Sequence, residues 1–253
     1  VTVGFARAAA AALAALLAAC SSPLTAEELD RIQGFPGAPG DASLYDQAQS
    51  QFSRGKVREA LAIAVELRDR HPQNVLVHRL YQEAMIRLDQ RAQVVDEYER
   101  LARTRPSALY DALLSRLQTE ADRGAALAQS SVERDDRFSW GWYARGWWES
   151  KRKPPRFDEA RAAYERALEL QPDLVPALRA YANLVRDKEP EAALDAIRRA
   201  IALHPERRSE RMFLASVQLH LGEDEAREAE KMFRALLDER PGDLDASKGL
   251  AAA

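Results

Sequence analysis

Residues 139–172 read SWGWYARGWWESKRKPPRFDEARAAYERALELQP. The second half of this stretch places a small residue at Ala160, a ring one helical turn later at Tyr164, another small residue at Ala167 and a proline at Pro172. On a helix these three positions share one face, and the proline ends the helix that carries them. The same code recurs through the chain. Pro72, Pro106, Pro172, Pro205 and Pro241 follow one another at intervals of 34, 66, 33 and 36 residues, and 66 is two periods of 33. Twelve residues before these prolines stand Ala60, Val94, Ala160, Ala193 and Ala229, and eight before stand Ala64, Tyr98, Tyr164, Ile197 and Phe233. Five before come Leu67, Leu101, Ala167, Ala200 and Leu236. A fixed period of this length predicts stacked helical hairpins.

The spacing has a physical rationale. Antiparallel helices approach closely only where side chains are small, so Ala at the crossing lets Tyr or Phe fill the space one turn later. No hairpin buries its face alone, and stacking the next one onto it makes stability a sum over neighbours. In the first half of the quoted stretch, Trp142 and Gly146 complete a pattern that resembles the tetratricopeptide repeat, W-x2-L-G-x2-Y…A-x3-F…P, with Arg145 and Glu149 in place of its Leu and Tyr. The resemblance implies an all-α, right-handed tetratricopeptide superhelix (an α-solenoid) of about six helix-turn-helix repeats. Their expected spans are 41–74, 75–108, 109–138, 139–174, 175–207 and 208–243, with 244–253 as a partial C-terminal cap that frays.

Two units depart from the pattern. Pro154 and Pro155 lengthen the inter-helix turn of the fourth, where insertion into solvated backbone costs little. In the third, Asp136 takes the proline slot, Gly124 the alanine slot, and the unit is about four residues short. Residues 110–118 and 124–134 nevertheless predict two helices, since a long unstructured stretch there would expose both neighbouring units.

Before the repeats the text changes. Residues 1–20 read VTVGFARAAAAALAALLAAC, with Arg7 followed by twelve uncharged residues. That run falls short of the ~20 residues that span a bilayer as a helix and suits the core of a secretory signal. Leu17, Ala18, Ala19 and Cys20 resemble the bacterial lipobox, which implies a lipoprotein signal peptide over 1–19 and acylation of Cys20, the sole cysteine of the chain. A single cysteine excludes an intrachain disulfide and a multi-cysteine metal site. Ser21 and Ser22 follow it, and by the same resemblance they direct the protein to the periplasmic face of the outer membrane. Residues 20–40, with Gly34-Phe35-Pro36-Gly37-Ala38-Pro39-Gly40, are expected to form a flexible linker.

Composition narrows the function. A formal charge of -3, or -4 once Arg7 is removed with the leader, gives no reason to invoke nucleic acid. Gly55-Lys56 lacks the preceding glycine of a phosphate-binding loop, no nucleophile elbow occurs, and the carboxylates sit at helical spacing with Arg and Lys as surface pairs do. No enzyme activity, cofactor, metal or small-molecule substrate is expected.

In the family, the inner face of the solenoid comes from the first helix of each unit. By that register Trp140, Tyr143, Trp147 and Lys151 face a groove in the fourth unit, Arg179, Asn183 and Arg186 in the fifth, and Arg79, Glu83 and Arg87 in the second. Two readings of the rings stand open: a partner-binding stripe, or packing that fills the gap left by the short third unit. Arg and Asn at such positions are similar to the clamp with which some tetratricopeptide domains hold a peptide's terminal carboxylate, and solvated helix charge explains them as well. A lipobox followed by six such repeats resembles the pilotin lipoproteins of type IV and Tad pilus systems. It implies a membrane-anchored scaffold whose partner is another envelope protein, such as a secretin or pilus component. Alternatives are an adaptor for β-barrel assembly or for peptidoglycan enzymes, or a cytoplasmic co-chaperone if the leader is not a signal.

Overall fold

The computed structural model describes Phe35 and residues 38–203, 208–219 and 221–253. The leader, Cys20, most of the expected linker and Pro205 lie outside the described residues. Six helical hairpins follow in order: α1 (Pro39–Ser53) with α2 (Val57–Arg70), α3 (Val75–Arg87) with α4 (Arg91–Thr104), and α5 (Ala108–Leu117) with α6 (Ala121–Arg134). Then come α7 (Ser139–Lys151) with α8 (Phe157–Leu170), α9 (Val175–Val185) with α10 (Pro190–Leu203), α11 (Arg208–Gln218) with α12 (Glu223–Glu239), and a last helix, α13 (Leu244–Ala252). Every substantial contact is between helices one or two apart in sequence, so the chain is a solenoid held by nearest neighbours.

The packing code reads out directly. All five residues at the crossing positions (Ala60, Val94, Ala160, Ala193, Ala229) and all five that follow one turn later are buried. Of the third set, Leu101 alone is only half-buried. Pro72, Pro106, Pro172 and Pro241 each directly follow a helix C-cap, whose backbone has left the helical region with ψ between 62 and 90°. The third unit reaches the same geometry without proline. Asp135 caps α6 at ψ 100°, and its carboxylate accepts the Arg137 N–H at 2.9 Å, an Asx turn that bends the chain locally. Between α1 and α2, Gly55 has φ +78°, and Asp89 takes the left-handed region in the next hairpin, at φ 60°.

Gly124 has a tertiary explanation. A Cβ there would lie 2.1 Å from the indole of Trp148, which is buried against it while its Nε1–H donates to Ser115 Oγ at 2.7 Å. One ring from α7 thereby joins α5 and α6 and fills the volume that the short third unit leaves. Within the fourth hairpin, Gly146 likewise lies under Tyr164, whose ring a Cβ would approach to 2.6 Å.

The two ends differ from the sequence expectation. Phe35, within the expected linker, is fully buried and packs edge-on to His71 at 4.9 Å and against Tyr45 at 5.7 Å. Where fraying was expected, α13 forms. Asp243 caps it by accepting two backbone N–H bonds at 3.0 Å and is held by Arg208 at 2.7 Å, and both contacts keep its carboxyl below the usual range. Ala246 is buried, and Gly249 lets α13 approach Phe233, which a Cβ would meet at 2.3 Å. Periodicity gave only a partial, fraying cap over 244–253, because a nine-residue segment carries too few apolar positions to declare a face.

Gly124→Ala is expected to lower stability by about 1–3 kcal/mol through overpacking, against the usual gain of replacing glycine within a helix. Gly40→Ala, in α1 with open space around it, should be neutral or stabilising. Thermal unfolding followed by circular dichroism compares the two; equal melting temperatures would contradict the Trp148 contact.

Candidate functional site

A groove of about 1110 Å³ runs along the inside of the solenoid. All six first helices line it: Tyr45 and Gln49 from α1, Arg79 and Glu83 from α3, Arg116 from α5, Trp140, Tyr143 and Trp147 from α7, Arg179 and Asn183 from α9, and Phe213 from α11. The second helices contribute no lining residue; the connections that end them, such as Arg137-Phe138, do. The sorting follows from the packing code, since the face of each second helix that bears the small residues and rings is spent on its neighbours.

The rings are divided between floor and wall. Trp140 is 8% exposed and meets Tyr143 edge-on at 5.7 Å, so it belongs to the core and to the groove floor together. Trp147 is 43% exposed, with the Lys151 ammonium 4.8 Å from its ring centre. Trp142 stands apart from the groove, half-buried, donating its Nε1–H to the Asp136 carbonyl at 2.8 Å. Of the aromatic stripe, Trp140 packs into the core and Trp147 is open to solvent, while the ring that fills the gap beside the short third unit is Trp148, outside the stripe.

Arg79 is fixed over this floor. Its guanidinium lies 4.9 Å from the Trp140 ring centre and 5.5 Å from that of Tyr143, within the range of cation–π attraction. Across from it, Arg116 donates to Glu83 Oε2 at 2.7 Å and to Gln82 Oε1 at 3.1 Å. Burial, then the nearby charge of Arg79, hold the Arg116 guanidinium below its ordinary value, while Glu83 acts in the opposite direction. Arg179 reaches the buried Glu210 carboxylate at 3.5 Å.

Solved structures match this architecture. A chain of the APC/C hetero-tetramer Cut9-Hcn1 superposes on 83% of this chain with a TM-score of 0.62 at 16% identity, and this chain spans 42% of that chain's length. TTC0263, a thermophilic TPR protein of Thermus thermophilus, gives 0.53 at 16% identity over 71% of this chain and 99% of its own. Pseudomonas aeruginosa PilF gives 0.56 at 13% identity over 84% of this chain and 97% of its own. The fold is the tetratricopeptide-repeat solenoid. No family model matches the sequence, and no curated protein is detectably similar to it.

Within the tetratricopeptide register, the groove takes seven of the ten expected residues. Lys151, Arg186 and Arg87 do not line it. Arg87 lies over the Phe52 ring at 5.4 Å and Arg186 pairs with Asp187 at 3.2 Å. Arg116 was not among the expected residues, because the third unit was given no groove positions. Ser107 caps α5 by accepting the Tyr110 N–H at 3.3 Å, so the helix begins at Ala108, one residue before the expected span 109–138, and Arg116 stands eight residues past its start, as Glu83, Trp147 and Asn183 do in their helices. Serine before an apolar run was the signal that would have placed that start.

Behind Arg79 and Glu83, α3 is held by two polar clusters, one at the buried His78 and one at the half-buried Glu97 and Arg68. His78 Nε2–H donates to the Pro72 carbonyl at 3.0 Å, and in the neutral imidazole that burial favours, Nδ1 accepts the Tyr98 hydroxyl at 2.6 Å. Tyr81 donates to Glu97 at 2.5 Å, and Glu97 also holds Arg68 at 2.9 Å. Burial, chiefly, keeps His78 below its ordinary value of 6.5. An unfolded chain therefore binds the proton first, and stability falls as pH drops below about 6.5 toward the lower folded value. Melting temperatures measured between pH 7.5 and 5.5 should decline, with a flatter profile in His78→Gln; parallel profiles would remove His78 from the pH response.

Proposed function

We propose that this chain is a membrane-anchored adaptor: its solenoid holds an extended segment of another envelope protein, and acyl chains on Cys20 keep the complex at the periplasmic face of the outer membrane. The observation that carries the reading is the groove itself, continuous across six first helices and lined by rings and arginines. Its volume, about 1110 Å³, exceeds the ~300–1,000 Å³ typical of small-molecule sites and suits a stretch of polypeptide. Anchoring rests on the lipobox pattern Leu17-Ala18-Ala19-Cys20. Assembly of a pilus or secretion system is the setting that the layout of lipobox and six repeats supports through its resemblance to pilotin lipoproteins.

Two experiments test the two halves. Cells fed an acyl-chain analogue should label the wild-type chain and leave Cys20→Ser unlabelled; equal labelling would move the anchor elsewhere or abolish it. For the groove, Trp147→Ala should leave the melting temperature nearly unchanged and weaken recovery of the envelope partner on the order of 30-fold, as hot-spot rings do. Trp140→Ala should cost about 3 kcal/mol of stability as well, because its ring is core. Undiminished recovery with Trp147→Ala would assign that ring to the surface alone.

A further inference from the structure

The charge of the groove opposes the charge of the chain. The whole sequence is formally -3, yet Arg79, Arg116, Arg137 and Arg179 line the groove against the carboxylates of Glu83 and Asp173. Two of these arginines have anionic neighbours, Arg116 with Glu83 at 2.7 Å and Arg179 with Glu210 at 3.5 Å. Among the described residues, Arg79 and Arg137 have no carboxylate within ion-pair distance. Arg79 does not rove in search of one. Its guanidinium is set over Trp140 and Tyr143, and the ordering cost of presenting that cation is met before anything binds. It also faces Arg116, which is only 27% exposed, so the two like charges repel across a partly desolvated floor. A negative group between them removes that repulsion and gains two charge-assisted hydrogen bonds.

We infer that the partner segment is acidic, with carboxylates seated against Arg79 and Arg116 on the Trp140–Tyr143 floor, and Arg137 at the rim drawing it in. The inference rests on the groove reading and adds the chemistry of the occupant. A neutral or basic segment would leave Arg79 desolvated beneath it without a counter-charge, still facing an Arg116 that is paired with Glu83. Rim arginine and floor arginine then have separable effects, the first on association rate and salt dependence and the second on residence.

Selection of a random short-peptide library on the full-length chain tests this. Recovered peptides should be enriched in Asp and Glu, and should bind Arg79→Gln about tenfold or more weakly. Arg137→Gln, on an exposed connection where folding is not at stake, should weaken binding less and reduce its salt dependence. Replacing Asp and Glu of a recovered peptide by Asn and Gln should reproduce the loss. Neutral or basic peptides that weaken on Trp147→Ala but not on Arg79→Gln would overturn the acidic partner and leave the groove reading standing. Peptides indifferent to both variants, or none recovered, would overturn the groove reading and the inference with it. Tighter binding of a labelled single-stranded oligonucleotide than of any recovered peptide would assign the arginines to phosphate instead.

Discussion

Close approach of helices over a missing or minimal side chain is the constraint on which this solenoid depends. Where Gly146 passes Tyr164, Gly124 passes Trp148 and Gly249 passes Phe233, a single added methyl group would overlap a ring. Elsewhere alanine does the same work, fully buried at Ala60, Ala160, Ala193 and Ala229. Glycine inside a helix sacrifices stability relative to alanine, roughly 1 kcal/mol. It is retained where the ring it admits contacts more than one helix, as Trp148 does in joining α5, α6 and α7. The gain is dispersion and burial from a large ring at near-crystalline density.

Once the second helices are committed to this packing, the first helices form the concave wall, and their outward positions are available for chemistry. The wall is stiffened from behind. His78 with Tyr98, and Tyr81 with the half-buried Glu97 and Arg68, tie α3 to α4 and to the end of α2. Arg79 and Glu83 project from that same helix, so the arginine over the aromatic floor is carried by one of the better-supported elements of the molecule. A groove built on rigid helices presents its charges in fixed places, which lowers the entropy lost on binding.

Much of this was legible in the sequence. The proline register located the end of every second helix whose proline lies among the described residues, and the positions twelve and eight residues earlier identified buried core. The irregular third unit was readable as two helices, although its slots held Gly124 and Asp136. Less of the groove was legible. Periodicity placed Arg79, Glu83, Trp140, Tyr143, Trp147, Arg179 and Asn183 on the inner wall; for the third unit, whose first helix begins at Ala108 and not at 109, it assigned no groove position and so did not give Arg116. One residue of slip turns a side chain by about 100° around the helix, enough to carry it off the face. Arg87, Arg186 and Lys151, at or just past the last residue of their helices, do not line the groove.

Local sequence alone determined the number of hairpins, the ends of the second helices and the small positions that allow them to cross. Tertiary structure decided the fates of four tryptophans that sit within nine residues of one another: Trp140 in the floor, Trp142 on a backbone carbonyl, Trp147 in the open and Trp148 in the core. It also decided that Phe35 is buried beside His71 and that Arg79 meets Trp140 from another repeat. The physical reason is the range of the information. Helical period specifies which face of one helix a residue occupies, whereas the neighbour across a repeat interface depends on crossing, register and side-chain volume accumulated over every hairpin between them.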